Sequence, residues 1–385
     1  MKESQVQFNK LKIAIVHDFL VQYGGAEKVL EVLCEMFPQA PVYTLLHDSE
    51  KMRKRFENRE IKTSYLQKLP KCLRKHYQWL LPFFPVMPET FDLRDFDLVI
   101  SSSGAWSKGI VTKLNTIHVA YIHSPMRFVW DYNEKYLKDE RHSELGFFIR
   151  PMLSYLRLWD KLAADRPDYL IANSEYTQAR IAKYYRRESE VIYPPVNFKF
   201  QISNLPAGEA GFKSNHNSIN SKFFLIISRL SGYKKIDVAV EAFNKLGLPL
   251  LVVGTGKQEK YLRGLAKENV KFLGWVSDEK REELYKNARA FIFPGVDDFG
   301  LAPAESLAAG VPVIAVRSGG VTEIVEEGKT GEFFETATPE MLANAVRKFM
   351  EKEKSYDREY IARSAERFSK ERFAREIGEF IDKII

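Results

Sequence analysis

The residues best suited to chemistry lie in one stretch, FIFPGVDDFGLAPAESLAAGVPVIAV, which occupies residues 291–316. It reads as a strand, a glycine-containing loop and a helix. The backbone N–H groups at the helix start, near Gly300 and Leu301, form an anion site together with the helix dipole. Asp297 in the loop and Glu305 in the expected first helical turn can bind the paired hydroxyls of a ribose or a hexose. From these residues alone, the alternative that both acids only serve the loop and the helix start stays open.

Two cations in the stretch IISRLSGYKKIDVAVEAF suggest a diphosphate ligand. Arg229 follows a predicted strand, and Lys234 lies at the entrance to a helix. Cations before a helix N-terminus oppose the helix dipole, so their presence indicates an anionic ligand. A planar guanidinium and a point-charge ammonium can together hold a diphosphate. We interpret the neighbouring Lys235 as a solvated surface residue.

Further candidates follow predicted strands in the first half of the chain. Gly24 and Gly25, in VHDFLVQYGGAEKVLEVL, can bring backbone N–H groups to a phosphate or a sugar. This turn is neither GxGxxG nor a Walker loop, which argues against nicotinamide dinucleotides and ATP hydrolysis. His123 ends the strand HVAYIH, where the active-site residues of doubly wound sheets lie; that it is only a polar residue satisfied in its loop stays open. Asn173 and Ser174 have a similar position, or only cap the next helix.

Other catalytic motifs are absent from the sequence, which has no GxSxG, HExxH or CxxC. Asp297 and Asp298 are adjacent, so their side chains diverge and do not form a DxD metal site. Cys34 and Cys72 cannot form a disulfide framework and have no partner at metal-ligand spacing, which indicates a reducing compartment. The carboxylates and phosphate-binding groups suggest transfer of an activated sugar, not hydrolysis.

The elements that must position these residues alternate between short apolar runs and helix-like segments. Near-continuous apolar strands separated by amphipathic helices predict parallel sheets covered on both faces, and therefore an α/β fold. The predicted strands are KIAIVH (12–17), PVYTLL (41–46), DLVISS (97–102), HVAYIH (118–123), DYLIAN (168–173), EVIYPP (190–195), FFLIIS (223–228), PLLVVG (249–254), VKFLGW (270–275), AFIFPG (290–295) and VPVIAV (311–316).

The chain of 385 residues is long enough for two or three domains. Residues 199–222 are polar and rich in Asn, Ser and Gly, so we interpret them as a linker or surface loop. This predicts an N-terminal Rossmann-like domain over 1–198 and a C-terminal one over 223–366, followed by a helix over 367–385. Ligands of such sheets bind beyond the carboxyl ends of the strands, so two facing domains would form an interdomain cleft.

Composition limits the class of protein. Hydrophobic residues make up 45% and charged residues 28%, a globular mixture. The longest apolar run, WLLPFFPVM (79–87), is too short for a membrane-spanning helix and contains two prolines. The polar N-terminus MKESQVQFNK predicts no signal peptide, so we expect a cytoplasmic protein.

The formal net charge of +7 is concentrated in residues 51–91, which hold ten basic and three acidic residues. The rest of the chain is balanced, with 48 of each sign. Within 61–91 the cations are interleaved with aromatic residues, which favours peripheral attachment to an anionic membrane surface, on the inner face of the cell membrane. A solvated basic helix beside a buried aromatic run is the alternative. Nucleic acid is not expected as a partner, because no binding motif accompanies the charge.

These residues together resemble family 4 of the GT-B glycosyltransferases, also called group 1 glycosyltransferases, over nearly the whole chain. DDFGLAPAE resembles the family's E-x7-E element; Glu305 takes the place of the second acid and Asp297 that of the first, where the family usually has Glu. SRLSGYKK is similar to GRLxxxKG, and GGVTEIVEEGKTGEFF (319–334) to the GGxxE…GxTG stretch. The Gly24–Gly25 turn, His123 and IANSEYTQARI also fit.

The resemblance implies two Rossmann-like domains with the donor in the cleft. It implies a retaining transfer from a nucleotide diphosphate sugar, with no cofactor and no essential divalent metal. The terminal segment would be the family's last helix, which crosses back onto the first domain. The implied roles are ribose binding by Glu305, donor-sugar binding by Asp297 and the backbone of Phe299, Gly300 and Leu301, stabilisation of the leaving diphosphate by Arg229 and Lys234, and contact with the transferred sugar by His123.

The HSPMR and DDFG stretches resemble most closely the mannosyl- and rhamnosyltransferases of surface polysaccharide assembly. GDP-mannose is therefore the favoured donor, and a lipid-linked or polysaccharide acceptor is expected. Asp297 is one methylene shorter than Glu, so the sugar contact must shift, or Asp298 must share it. A UDP-sugar-dependent transferase and a catalytically silent sugar-nucleotide binder are the alternatives.

Overall fold

The computed structural model describes residues 11–53, 55–70, 72, 74, 77–131, 146–196 and 223–385. The chain divides into two compact units: Met1–Pro195 with Glu371–Ile385, and Val196–Lys370. The predicted linker, residues 199–222, lies outside the described residues. The chain therefore changes unit after Pro195 and again after Lys370, next to the expected boundaries at 198 and 366.

The first unit contains a sheet of seven parallel strands in the order β3-β2-β1-β4-β5-β6-β7. The crossover order, with β1 in the middle, is that of a doubly wound sheet. Its strands are β1 (Ile13–His17), β2 (Val42–Thr44), β3 (Ile61–Thr63), β4 (Leu98–Ser103), β5 (Ile117–Ile122), β6 (Tyr169–Ala172) and β7 (Glu190–Val191).

The second unit contains six parallel strands in the order β10-β9-β8-β11-β12-β13. These strands are β8 (Phe223–Ile227), β9 (Leu250–Val253), β10 (Val270–Gly274), β11 (Ala288–Phe293), β12 (Val313–Val316) and β13 (Gly331–Phe334).

The α-helices of the described residues connect and cover these strands. They are α1 (Gly25–Met36), α2 (Arg127–Trp130), α3 (Gly146–Ala164), α4 (Glu175–Tyr184), α5 (Ile236–Leu246), α6 (Glu259–Leu265), α7 (Asp278–Asn287), α8 (Leu301–Ala308), α9 (Pro339–Lys352), α10 (Arg358–Ser364) and α11 (Lys370–Ile384). Within the described part of the chain, no helix combines the length and the apolar character that a bilayer crossing needs.

Helices cover both faces of the first sheet. Ile13 and Ile15 of β1 lie in a buried cluster with residues of α1 and α11. Ala14 and Val16 lie in a second cluster, which includes residues of α3. Because successive strand side chains point to opposite faces, this alternation places α1 and α11 on one face and α3 on the other. The parallel, doubly covered sheets confirm the α/β fold class.

Helix α11 belongs to the first unit although it lies at the far end of the sequence. Phe373, Ile377, Phe380 and Ile381 recur at the spacing of one helical face, and all four are buried in the cluster around β1. The helix starts at Lys370, three residues after the expected start of the terminal helix at 367.

All eleven predicted runs overlap a strand, and two further strands lie where none was expected. β3 is an edge strand of only three residues with partly exposed side chains, so it has no apolar run. β13 contains Glu332, which is fully buried and accepts a hydrogen bond from Tyr356 Oη at 2.8 Å. A buried carboxylate in the middle of the strand interrupts the apolar pattern used to find strands.

Candidate active site

Two loops at one edge of the second sheet bring the predicted phosphate- and sugar-binding residues together. β8 and β11 are neighbours in the sheet, so the segments after their carboxyl ends lie side by side. The first of these segments carries Arg229 and Lys234, and the second carries Asp297. Lys234 Nζ forms an ion pair with Asp297 Oδ2, and both side chains are largely buried, with 13% and 21% exposed.

Arg229 lies at the same edge but is exposed to solvent. Its Nη2 donates a hydrogen bond to Tyr233 Oη at 2.9 Å. Lys235, the residue interpreted as a surface lysine, has a left-handed backbone conformation, with φ of 55°, and precedes α5. Of the two predicted cations, Lys234 therefore contacts the other candidate residues directly, while Arg229 is presented to solvent beside them.

Helix α8 starts beyond the carboxyl end of β11, as expected, with Gly300 as its N-cap. The φ of Gly300 is 106°, a conformation that favours glycine. Phe299 is buried, and its ring packs edge to face on Phe368 at 5.3 Å. A side chain at Gly320 would lie 2.2 Å from the carbonyl oxygen of Asp298, so the following loop packs closely on this segment. The segment that leads into α8 is thus closely packed, and the first N–H groups of the helix lie beyond the sheet edge.

Glu305 lies in the second turn of α8, not in the first turn as predicted, because the helix begins only at Leu301. One oxygen of its carboxylate, Oε2, accepts a hydrogen bond from Tyr285 Oη at 3.3 Å and lies 4.0 Å from Arg281 Nε. Tyr285 Oη also lies 3.2 Å from the carbonyl oxygen of Ala302, so these two acceptors share its single proton. Burial and the negative charge of Glu305 raise the pKa of Tyr285 well above its ordinary value, so it remains a donor.

The glycine turn of the first unit forms the start of α1. Gly24 is the N-cap, and its backbone N–H donates to Glu27 Oε2 at 2.7 Å. This N–H group, expected to face a phosphate or a sugar, is therefore engaged by Glu27. Gly25 is the first residue of the helix.

His123 follows β5 directly, at the edge where the sequence predicted it. Its Nε2 lies 2.8 Å from Ser102 Oγ, and its carbonyl oxygen accepts a hydrogen bond from Asn173 Nδ2 at 3.0 Å. Burial and the neighbouring His17 lower the pKa of His123 to about 4, so the ring is neutral near pH 7. Ser174 caps α4, because its Oγ accepts a hydrogen bond from the backbone N–H of Thr177 at 2.9 Å.

Several buried polar residues at this edge of the first sheet were not predicted from the sequence. Asp18 accepts hydrogen bonds from four consecutive backbone N–H groups, those of residues 104–107, at 2.6–2.9 Å. It thereby fixes the loop after β4. His17, Glu27 and Ser102 are also buried. Charged or polar residues directly at the end of an apolar strand were the available signal, as in the run IVHD.

Two family models match the chain. The model described as "Glycosyl transferases group 1" matches residues 209–367, and the model described as "Glycosyltransferase Family 4" matches residues 23–200. Together they extend over most of both compact units, including the loops described above.

Individual relatives are more distant. The alpha-1,3/1,6-mannosyltransferase ALG2 of Dictyostelium discoideum is 29% identical over 50% of this chain and 55% of its own. The GDP-mannose-dependent alpha-(1-6)-phosphatidylinositol monomannoside mannosyltransferase of Mycobacterium tuberculosis is 29% identical over 53% of this chain and 57% of its own. The chain therefore spans about half the length of the curated relatives it matches.

The fold matches solved structures over almost its whole length. HepE from Anabaena, in complex with UDP-glucose, superposes with a TM-score of 0.67, covering 97% of this chain and 100% of that chain at 20% identity. At this identity the likeness concerns the fold, which is the expected pair of Rossmann-like domains.

Proposed function

Because the chain belongs to the group 1 glycosyltransferases of family 4 and has their GT-B fold, we propose that it transfers a hexose from a nucleotide diphosphate sugar to an acceptor. The observation that carries this proposal is the grouping of Lys234, Asp297 and the N-terminus of α8 at one sheet edge. Glu305 lies one turn further along the same helix.

The proposed roles follow from the charges at this edge. The helix N-terminus, Lys234 and Arg229 stabilise the negative charge that develops on the diphosphate as the bond to the sugar breaks. Asp297 and the backbone from Phe299 bind hydroxyls of the donor sugar. Glu305, held by Tyr285, accepts hydrogen bonds from the ribose hydroxyls. His123 accepts a hydrogen bond from a substrate hydroxyl.

We propose mannose as the sugar and GDP-mannose as the donor. The two mannosyltransferase relatives, one of which is GDP-mannose-dependent, support this choice. A UDP-sugar is the second candidate, supported by the UDP-glucose bound to HepE. The phosphatidylinositol monomannoside in the name of the Mycobacterium tuberculosis relative supports a lipid-linked or glycan acceptor. Retention of the anomeric configuration and independence of a divalent metal complete the proposal.

A nucleotide-sugar panel tests this function. Thermal unfolding is measured with GDP, UDP and their sugars, since a ligand that binds the folded state raises its stability. Donor turnover is then compared between the wild type and Glu305→Ala, with and without EDTA. We expect stabilisation by GDP over UDP, and turnover that is insensitive to EDTA and lost in the variant. Binding without turnover would favour the catalytically silent alternative, and unchanged turnover in Glu305→Ala would refute the role of that residue.

We further propose that the first unit attaches to an anionic membrane surface. Two short 3-10 segments within residues 51–91, Tyr65–Lys68 and Tyr77–Val86, cover the same face of the sheet as α3, since Leu66, Phe84 and Leu156 share one buried cluster. The solvent side of this layer exposes six large apolar residues: Tyr65, Phe83, Val86, Tyr155, Leu158 and Leu162.

The exposed apolar residues and the cations complement each other in this layer. Tyr155, Leu158 and Leu162 are spaced as one face of α3, and each is 47–63% exposed. Exposed cations of the 51–91 segment include Lys62 and Lys68. Apolar side chains suit the interfacial layer of a bilayer, and each nearby cation adds about 1 kcal/mol of attraction to anionic lipids. Phe84, however, is buried against Trp106, so part of the aromatic run belongs to the core.

A further inference from the structure

A continuous line of buried polar side chains runs from α1 to His123 in the first unit. Glu27 Oε1 lies 3.5 Å from His17 Nε2, and His17 Nδ1 lies 3.1 Å from Ser102 Oγ. Ser102 Oγ in turn lies 2.8 Å from His123 Nε2. Sheet register brings them together, because His17 and Ser102 are directly opposite each other on the neighbouring strands β1 and β4.

The chemistry of the serine hydroxyl gives this line a direction. A hydroxyl has a single proton to donate, so Ser102 can donate to only one of the two imidazoles and must accept from the other. A hydrogen bond to the Glu27 carboxylate places a proton on His17 Nε2, so with a single proton on this ring His17 Nδ1 is an acceptor. Ser102 then donates to His17 and accepts from His123, so His123 carries its proton on Nε2.

We propose that Glu27, His17 and Ser102 are positioning residues that hold neutral His123 in the tautomer protonated on Nε2. Its Nδ1 lone pair is thereby left to accept a hydrogen bond from a hydroxyl of the sugar substrate. The last step rests on the proposed function, whereas the tautomer itself does not. Among the described residues, His123 Nδ1 has no hydrogen-bond partner, so this nitrogen is the one available to a ligand.

The surroundings of His123 support a neutral ring. The titratable and charged groups near it are His17, Asp18, Glu27 and the buried Tyr121, whose ring packs edge to face at 5.2 Å. The Asp18 carboxylate is satisfied by four backbone N–H groups. Burial lowers the pKa of His123 to about 4, so near pH 7 the question is only which nitrogen carries the proton.

Long-range 1H–15N NMR of protein labelled with 15N-histidine distinguishes the two tautomers by the shifts of both ring nitrogens. The His123 signals are assigned by their loss in His123→Gln. We expect the Nε2–H form in the wild type and in Ser102→Thr, which keeps the hydroxyl. In Ser102→Ala the Nε2–H group loses its acceptor, so a mixture of tautomers is expected. Donor turnover should fall about tenfold in Ser102→Ala, with unchanged affinity for the nucleotide.

Ser101→Ala is the matched control. Ser101 is equally buried on the same strand, and its Oγ lies 2.8 Å from Nε2 of another buried histidine, His118. The Ser101→Ala substitution removes a comparable Ser–His hydrogen bond but should leave the His123 tautomer unchanged. An Nδ1–H form in the wild type, or an unchanged tautomer in Ser102→Ala, would overturn the inference. If the tautomers behave as expected but no nucleotide sugar is turned over, the positioning chain is supported and the proposed function is refuted.

Discussion

Lys234 and Asp297 form an ion pair that joins the segment after β8 to the segment after β11. They are 63 residues apart in sequence and meet because their strands are neighbours in the sheet. The pair combines, at one point, the cation expected to stabilise a diphosphate and the carboxylate expected to bind a sugar. Both side chains are largely buried, and each supplies the opposite charge that a buried charge requires.

The first prediction concerns the cation of this pair. Replacing Lys234 with Ala removes the charge proposed to stabilise the leaving diphosphate, so kcat/KM for donor turnover should fall about 100-fold or more. Lys235→Ala changes the adjacent lysine and should stay within about twofold of the wild type. Steady-state kinetics with a saturating acceptor check both. Equal losses in the two variants would mean that the effect is one of general positive charge, not of this ion pair.

Removing one partner of a buried ion pair in the first unit should destabilise the protein. Lys108 Nζ lies 2.5 Å from Asp160 Oδ1, and both residues are almost completely buried. Asp160 Oδ2 also accepts hydrogen bonds from Trp130 Nε1 and Tyr185 Oη, each at 2.8 Å. Lys108→Met leaves a buried carboxylate without its cation, so the free energy of unfolding should fall by about 3–5 kcal/mol in urea denaturation.

An exposed ion pair in the same unit provides the contrast to the buried pair of Lys108 and Asp160. Arg94 and Asp92 form a salt bridge at 2.7 Å with side chains 75% and 64% exposed. Arg94→Ala should leave the free energy of unfolding close to that of the wild type, because solvent screens exposed ion pairs. The Lys108→Met and Asp160→Asn double variant should lose less than the sum of the two single variants, since the partners are coupled. Additive losses would show that the buried pair does not act as a unit.

Stability should depend on pH through His118. This ring is fully buried, which lowers its pKa from 6.5 to about 3, and the nearby Arg166 adds to the effect. Between these two values the unfolded chain binds a proton that the folded protein does not. The free energy of unfolding therefore falls as the pH falls through this window, by about 1.4 kcal/mol per pH unit from this group.

Comparison with His118→Phe isolates this contribution from the carboxylates. The unfolding free energy of the wild type minus that of the variant should be constant above about pH 6.5. It should decrease steadily as the pH falls below this value, because only the wild type loses the contribution of His118. Urea denaturation at a series of pH values measures it. A difference independent of pH would mean that His118 is protonated equally in the folded and unfolded chain.

Flotation with vesicles containing anionic lipids tests the membrane surface. The double variant Leu158→Glu and Leu162→Glu places charges on the exposed face of α3, and recovery with the vesicles should fall at least about fivefold. Changing Lys68, Lys71, Arg74 and Lys75 to Glu should have a similar effect through the headgroup charge. Met350→Glu, on an exposed position of the second unit, is the control. Equal recovery of all proteins would exclude this surface.

The hydrophobic pattern of short sequence segments was sufficient to predict much of the architecture. The apolar runs around β1, β4 and β5 predicted a parallel sheet because both faces of these strands are buried. Edge strands escape this reasoning: β3 has only Ile61 as an apolar residue, and β13 buries Glu332. Helix starts are uncertain by a few residues, which is why Glu305 lies one turn later than predicted.

The candidate site was predictable only where one segment carries the signal. Asp297, Gly300 and Glu305 lie within nine residues and stand out together. His17 and Ser102 are 85 residues apart and become partners only through sheet register. Ser102 lies within a run of three serines, and nothing local distinguishes it from Ser101, whose side chain contacts a different histidine on the opposite face of the sheet.

Helix α11 has a consequence for the order in which the protein is made. The cluster around β1 is complete only with Phe373, Ile377, Phe380 and Ile381. During synthesis, the ribosome therefore releases the second unit as an uninterrupted segment, whereas the first unit waits with an uncovered apolar face until residues 371–385 have emerged. The part of the protein made first should be the last to finish folding. Ribosome-bound chains that end before residue 370 should accordingly depend on chaperones that shield apolar surface.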